Sequence, residues 1–132
     1  MSMVKDIKKY LTDEGINMTV YIASMPNGPD DCVCLYQYAG KPPDTAAQLQ
    51  RPGLNIKSRS VDYETALTNI ETIADKLCQI GDEISGDYPE GKEINGTLYL
   101  GIYQNQSAFP LGRDENGRFE IVQNFSINRR KI

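Results

Sequence analysis

The side chains that most often carry out chemistry in proteins are scarce in this chain of 132 residues, which contains no histidine. Without histidine no Ser-His or Cys-His nucleophile can form, and the commonest general base and metal ligand are missing. Carboxylates, lysine or tyrosine would have to do the work. The acidic pairs at 30–31, 82–83 and 114–115 are candidates, but adjacent carboxylates in loops usually point apart into solvent. We therefore expect no catalytic residue.

The three cysteines, Cys32, Cys34 and Cys78, could in principle hold a metal ion through their thiolates. The usual Cys-x-x-Cys spacing and a fourth ligand are missing, so we interpret them as buried free thiols. The segment 112–117 lacks the Lys-Ser/Thr of a phosphate-binding loop and the ligand spacing of an EF-hand. We expect no metal site and no cofactor.

The charge balance argues against two classes of partner. A formal net charge of −4 does not favour specific nucleic-acid binding, which needs clustered lysine and arginine, and the one basic cluster is at 129–131. The longest uncharged run, 94–112, contains several amides and a proline, so it would make a poor membrane span. The first residues mix charge into every turn and do not resemble an export signal. We expect neither nucleic acid nor membrane as a specific partner.

Hydrophobic periodicity predicts seven elements. Apolar residues at helical spacing lie between Ser2 and Gly15 and again, for about five turns, over 63–80, with Ser60 and Asp62 as alternative N-caps. Alternating patterns predict five strands. They cover 17–23, its return strand 31–38 after a turn at 25–29, 54–60, 97–103 and 119–127.

A helix with a single apolar stripe covers only one face of a sheet. We therefore predict an α+β fold, a single domain over 1–132 with a largely antiparallel sheet of about five strands and two helices on one face, in the order α-β-β-β-α-β-β. In the strand at 97–103 the alternation directs Leu98, Leu100 and Ile102 toward the helices. It directs Tyr99 and Tyr103 outward, and the alternation in the strand at 17–23 does the same for Tyr21. These three tyrosines would form an aromatic surface suited to a protein contact.

Part of the chain, roughly 54–127, resembles a known family. The residues that carry the resemblance are Arg59-Ser60, Asp62-Tyr63, Ala66, Pro110-Leu111-Gly112-Arg113-Asp114-Glu115-Asn116-Gly117-Arg118-Phe119-Glu120 and Asn124-Phe125. They resemble minor capsid proteins of tailed bacteriophages and prophages of Gram-positive hosts, which are similar to tail terminators and tail-to-head joining proteins. The segment at 111–118 is the most specific part.

The resemblance implies a virion protein without catalysis or cofactor, assembled in the host bacterial cytoplasm. It implies a homo-oligomeric ring, a hexamer, that ends the tail tube and contacts the tail tube protein and the neck or head-completion proteins. DNA would pass through such a ring without being bound specifically. A second hypothesis stays open from the residues alone: a small α+β enzyme or ligand-binding domain with a tyrosine-lined pocket.

The segment 109–118 is predicted to be a long charged loop that works between subunits. Its length exceeds what a hairpin needs, and ordering a solvated loop costs conformational entropy. We expect the apolar Phe109 and Leu111 to anchor in a neighbouring subunit, with charged residues fixing the register. Those charged residues are Arg113, Asp114, Glu115 and Arg118. Asp114 or Glu115 is predicted to face Arg59 of the next subunit.

Overall fold

Two helices pack on one face of a seven-stranded, largely antiparallel sheet in the computed structural model, which describes residues 2–131. The helices are α1 (Met3–Asp13) and α2 (Tyr63–Leu77), and the strands are β1 (Val20–Ile22), β2 (Cys32–Tyr38), β3 (Gly53–Ser60), β4 (Lys92–Ile94), β5 (Thr97–Gln104), β6 (Phe109–Arg113) and β7 (Phe119–Lys131). The predicted α+β class is confirmed. The sheet gains two short strands, β4 and β6, which the sequence pattern did not reveal.

The 13-residue strand β7 is the centre of the sheet. One of its edges pairs with β3, and the other pairs first with β6 and then with β5, which gives the order β1-β2-β3-β7-β5-β4 with β6 beside β7. Its inward residues Ile121, Phe125 and Ile127 are completely buried beneath the helices. The segment with the strongest alternation in the sequence therefore organises the core.

Both helices begin at the capping residues that their sequence provides. The Ser2 side chain accepts a hydrogen bond from the backbone amide of Lys5 at 3.4 Å, and the Asp62 carboxylate accepts one from Thr65 at 3.1 Å. Asp62, not Ser60, is thus the N-cap of α2. The helix ends at Leu77, one turn earlier than predicted, although Ile80 is still buried.

Strands β1 and β2 are parallel, so the predicted return strand is wrong. Val20 lies opposite Val33, and Ile22 lies opposite Leu35. Residues 23–31 must therefore run back along the molecule before β2 begins. This connection is short for a parallel pair, and hydrogen bonds from Arg59 and Arg118 hold it in place. The alternation in the sequence is the same for a parallel pair and for a hairpin, so it does not distinguish them.

A β-bulge between Tyr99 and Gly101 changes which residues of β5 face the helices. Ile102 is buried as predicted, but Leu98 and Leu100 are only half-buried. Tyr99, which was predicted to lie outward, is completely buried in the core. The extra residue reverses the inward and outward alternation along the strand, so only Tyr103 of this strand's two tyrosines is exposed.

Buried Asp6 of α1 holds Tyr99 in place. Its carboxylate accepts hydrogen bonds from the Tyr99 hydroxyl at 2.5 Å and from the Asn95 side-chain amide at 2.9 Å. Arg129 donates to the same hydroxyl at 3.2 Å. Burial, together with the Asp6 carboxylate, raises the pKa of Tyr99. This polar cluster joins α1 to the β4–β5 turn and to the end of β7.

Strands β5 and β6 act as one interrupted strand along β7. The interruption is at 105–108, where the chain bulges away from the ladder. Buried Gln123 fills the gap because its side-chain amide donates to the Gln104 side chain and to the Gln106 carbonyl, both at 2.7 Å. The buried glutamine in the apolar row of β7 therefore donates a hydrogen bond to a backbone carbonyl in the segment that leaves the strand ladder.

Candidate assembly surface

The segment 109–118, called here the β6 hairpin, consists of strand β6 and a tight turn. The Asp114 amide donates to the Arg118 carbonyl at 2.8 Å, and the Gly117 amide donates to the Asp114 carbonyl at 3.1 Å. Gly117 has φ +77°, as a glycine bulge after a type I turn requires. The prediction of a long loop is therefore wrong. Half of the segment is paired with β7, so the conformational entropy of ordering it is lost when the subunit folds and not when subunits meet.

Arg118 anchors this hairpin to the chain itself. The side chain is only 3% exposed, and it donates from Nε to Asp114 at 2.8 Å and from Nη1 to the Asn27 carbonyl at 2.9 Å. Further contacts reach the Gly28 carbonyl and the carboxylate of Asp30. The predicted role of Arg118 between subunits is not tested, but its guanidinium is already occupied inside the subunit.

Asp114 is the first acceptor for that guanidinium. Desolvation raises the pKa of its carboxyl, but hydrogen bonds from the backbone and side chain of Arg118 and from the Asn116 amide outweigh this, so the pKa lies below its ordinary value. The carboxylate therefore stabilises the turn above its unfolded pKa, and this contribution is lost as the pH falls through the lower pKa of the folded state. Asp114 stabilises its own hairpin.

Arg59 is the second buried arginine at this end of the sheet. It is 4% exposed, and its Nη2 donates to the carbonyls of Gly28 at 2.9 Å and Pro29 at 2.8 Å. Its Nε has no hydrogen-bond partner among residues 2–131. The predicted pair with Asp114 or Glu115 of a neighbour is untested, and the burial of Arg59 leaves no exposed guanidinium face for it. Arg59 and Arg118 together hold the returning loop that makes β1 and β2 parallel.

Four of the predicted contact residues are exposed to solvent: Phe109, Leu111, Arg113 and Glu115. Leu111 is 56% exposed and Phe109 is 37% exposed. Arg113 lies over the Phe119 ring at 4.5 Å and forms no ion pair within residues 2–131. The hairpin thus presents an apolar strand edge with an adjoining unpaired cation.

A groove lies between the loop after α2 and the end of β5. It has a volume of about 570 Å³, and we call it the β5 groove. The residues used below from its lining are Ile80, Glu83, Ile84, Ile102 and Tyr103. Ile84 is 98% exposed, an unusual state for isoleucine. No sequence pattern predicts this groove, because Ile84 lies in a loop, outside any apolar period.

The sheet face opposite the helices is polar and aromatic. Tyr38 packs over Gly53, and Tyr103 packs over Gly101. The close contact requires glycine at both positions, because a Cβ there would collide with the tyrosine side chain. Asn55 and Asn124 lie between them and share a hydrogen bond of 2.8 Å. Of the three tyrosines predicted to lie outward, only Tyr103 is exposed, because Tyr21 is half-buried and Tyr99 is buried. Tyr38, which was not predicted to belong to this surface, is exposed as well.

The decisive comparison is with family models. Residues 4–131 match the model of the bacteriophage tail terminator protein. The chain belongs to this family. As a tail terminator it is a structural protein of the virion, in the tail or neck region, and the predicted resemblance to phage tail terminators is confirmed. Membership of a structural family favours assembly over the alternative hypothesis of a small enzyme or ligand-binding domain.

A solved structure supports the fold of this tail terminator. A chain in the "Virion of native gene transfer agent (GTA) particle" superposes with a TM-score of 0.69 at 13% identity, covering 97% of this chain and 94% of that one. At such low identity the similarity concerns the fold. No curated protein matches the tail terminator in sequence.

Two further features of the tail terminator bear on its chemistry. Among residues 2–131, no group of three or more histidine, cysteine or acidic side chains is placed to bind a metal ion. In the same part of the chain, no helix is both long enough and apolar enough to cross a membrane.

The thiols of the tail terminator are expected to be dispensable. Cys32 and Cys34 are buried and Cys78 is half-buried, all as free thiols, and burial raises the pKa of Cys32 and Cys78. Replacing all three with alanine should cost roughly 1–3 kcal/mol in unfolding free energy while assembly is retained. Thermal melts and light scattering test this. Stoichiometric metal in elemental analysis, or loss of assembly with a chelator, would contradict it.

Proposed function

We propose that this tail terminator closes into a homo-oligomeric ring of six copies at the end of the tail tube. One side of the ring contacts the tail tube protein and the other contacts neck or head-completion proteins. DNA passes through the ring without being bound specifically. The whole chain, 1–132, acts as one domain, and its function is assembly without catalysis or a cofactor.

The observation that carries this proposal is the match of residues 4–131 to a tail terminator family. The molecule also has uncovered apolar side chains of the kind that protein contacts bury. Phe109 and Leu111 are exposed together on β6, and Ile84 and Tyr103 are exposed together at the β5 groove. Exposed apolar residues that cluster on a small polar protein are typical of interaction sites.

The β6 hairpin is the proposed contact between subunits. Phe109 and Leu111 supply the apolar anchor, and Arg113 and Glu115 supply the outer charges. Asp114 and Arg118 contribute indirectly, because their hydrogen bonds hold the hairpin in one position against the loop at 27–29 before contact. Arg59 acts one step further away, because it binds that loop and not the hairpin. A preorganised anchor loses less entropy on binding than a flexible loop.

Light scattering after size-exclusion chromatography tests the ring. We expect a species of about six times the 14.8 kDa subunit mass, and negative-stain electron microscopy should show rings. Purified protein added to unterminated tails should attach at one end only. A chain that stays monomeric at all concentrations and does not attach to tails would contradict the proposal.

A further inference from the structure

We propose that the β6 hairpin of each subunit binds in the β5 groove of the next subunit. Phe109 and Leu111 pack against the exposed Ile84 and Tyr103, which stand over the buried Ile80 and Ile102, and Arg113 faces Glu83 at the rim. This inference rests on the proposed ring, and it names the surface that receives the hairpin.

The groove is a rigid surface that displays an apolar residue. The Asp82 carboxylate accepts hydrogen bonds from the amides of Ile84 at 3.0 Å and Ser85 at 3.2 Å, and from the Ser85 hydroxyl at 2.8 Å. The Gly86 amide also donates to the Asp82 carbonyl at 3.1 Å. A turn fixed by four hydrogen bonds holds Ile84 out in solvent, so the side chain is preorganised for a partner.

The base of the groove is fixed to the sheet. The Ile102 amide donates to the Ile80 carbonyl at 3.3 Å, which joins the loop after α2 to the edge of β5. Gly81 follows with φ +83°, and a Cβ there would lie 2.7 Å from the Gly101 Cα. This close approach requires glycine and sets the wall of the groove against the β5 bulge.

The hairpin and the groove match in their exposed apolar side chains and in charge. The hairpin presents Phe109 and Leu111 with the cation Arg113, and the groove presents Ile84 and Tyr103 with the anion Glu83. Neither Arg113 nor Glu83 forms an ion pair in the described part of the chain, residues 2–131. An apolar anchor with one charge pair at its rim is the usual anatomy of a specific protein contact.

The hairpin cannot fill the groove of its own subunit. Phe109 is paired with Val122 of β7, whereas Tyr103 at the groove is paired with Ser126, four residues further along the same strand. That separation is roughly 13 Å at the rise of a β-strand. Arg118 also holds the turn against the loop at Asn27. In the proposed ring the occupant is therefore the hairpin of a second copy.

Ring closure sets the direction of the contact. A cyclic ring needs a heterologous interface, in which the hairpin of one subunit meets the groove of the next and its own groove receives a third copy. A two-fold pair would instead exchange hairpins between two subunits and stop at the dimer. The two arrangements use the same residues, and cross-linking distinguishes them.

The test places one cysteine on each surface of the full-length protein. In a Cys78→Ala background, Leu111→Cys and Ile84→Cys are made singly and together, and assembled protein is oxidised with copper phenanthroline. The double variant should give a ladder of linked subunits on a non-reducing gel, up to the ring. A mixture of the two single variants should give linked dimers. Val61→Cys with Ile84→Cys is the control, since Val61 is 56% exposed, as Leu111 is, but lies at the start of α2.

Each outcome decides the proposal. A product limited to the dimer shows a two-fold contact and overturns the head-to-tail assignment. Absence of cross-links in protein that light scattering shows to be oligomeric overturns the hairpin and groove contact, while the proposed ring survives. If the parent protein is itself monomeric and does not attach to tails, the proposed function fails first.

A charge exchange supplies a second, independent readout. Arg113→Glu and Glu83→Arg should each raise the concentration at which the oligomer dissociates, by about tenfold, and the double variant should recover most of the loss. Leu111→Asp should weaken assembly at least as much, and the exposure-matched Val61→Asp should not. Circular dichroism must show each variant folded. Equal assembly of Leu111→Asp and the parent would overturn the proposal.

Discussion

Replacing Ile70 with alanine is expected to lower the free energy of unfolding by about 2–5 kcal/mol. Ile70 lies in the buried stripe of α2 with Ile73 and Leu77, and all three side chains are completely inaccessible to solvent. They belong to the same core as Phe125 and Ile102 on the sheet. Truncation removes three methyl or methylene groups and leaves a cavity between two rigid layers that relax only partly.

Urea denaturation with a parent control measures this loss. Glu71→Ala, one residue further along α2 on the exposed side, is the matched control and should change the unfolding free energy by less than about 0.5 kcal/mol. An Ile70→Ala protein as stable as the Glu71→Ala protein would show that α2 does not use this face on the sheet.

Replacing Asp6 with alanine is expected to cost about 2–4 kcal/mol, although aspartate in a first helical turn is normally a surface residue. The buried carboxylate accepts from Tyr99 and Asn95, and its loss leaves the Tyr99 hydroxyl with no acceptor at that position. Hydrogen bonds to a buried charged group are stronger than those between neutral groups.

A double-mutant cycle with Tyr99→Phe isolates the pair. We expect the two losses to be non-additive, because either change removes the same hydrogen bond. Asp13→Ala is the control: Asp13 pairs with Lys9 on the exposed face of the same helix, and such a pair contributes little. Additive losses for Asp6→Ala and Tyr99→Phe would exclude a direct coupling between the two side chains.

Two arginines in stretches that look solvent-exposed from the sequence have buried side chains in the structure. Arg59 and Arg118 lie in polar, charged stretches, and both were predicted to face a neighbouring subunit. In the structure both guanidinium groups donate hydrogen bonds to backbone carbonyls of residues 27–29. These carbonyls are about 30 positions from Arg59 and about 90 positions from Arg118 in the sequence. Guanidinium groups suit this task because they carry several donors in a fixed geometry.

The sequence by itself determined the local elements of this protein. The 3.6-residue period places both helices, and Asp62 caps α2. Alternation along β3 and β7 correctly identifies the rows that face the core, which contain Leu54 and Ile56 and, on β7, Ile121, Phe125 and Ile127. The motif at 111–118 and the order of elements were enough to indicate the tail terminator family, which the family match over 4–131 then established. These features depend on neighbours within a few positions.

Tertiary structure alone decided the features that depend on distant partners. The bulge at Tyr99 reverses the faces of β5 because Asp6 and Arg129 provide a buried site for a tyrosine hydroxyl. Two arginines from distant parts of the chain bind the connection between the parallel strands β1 and β2. The β5 groove exists because a loop after α2 closes on a strand edge. Periodicity carries no signal for any of these, because each is set by hydrogen bonds between segments far apart in the chain.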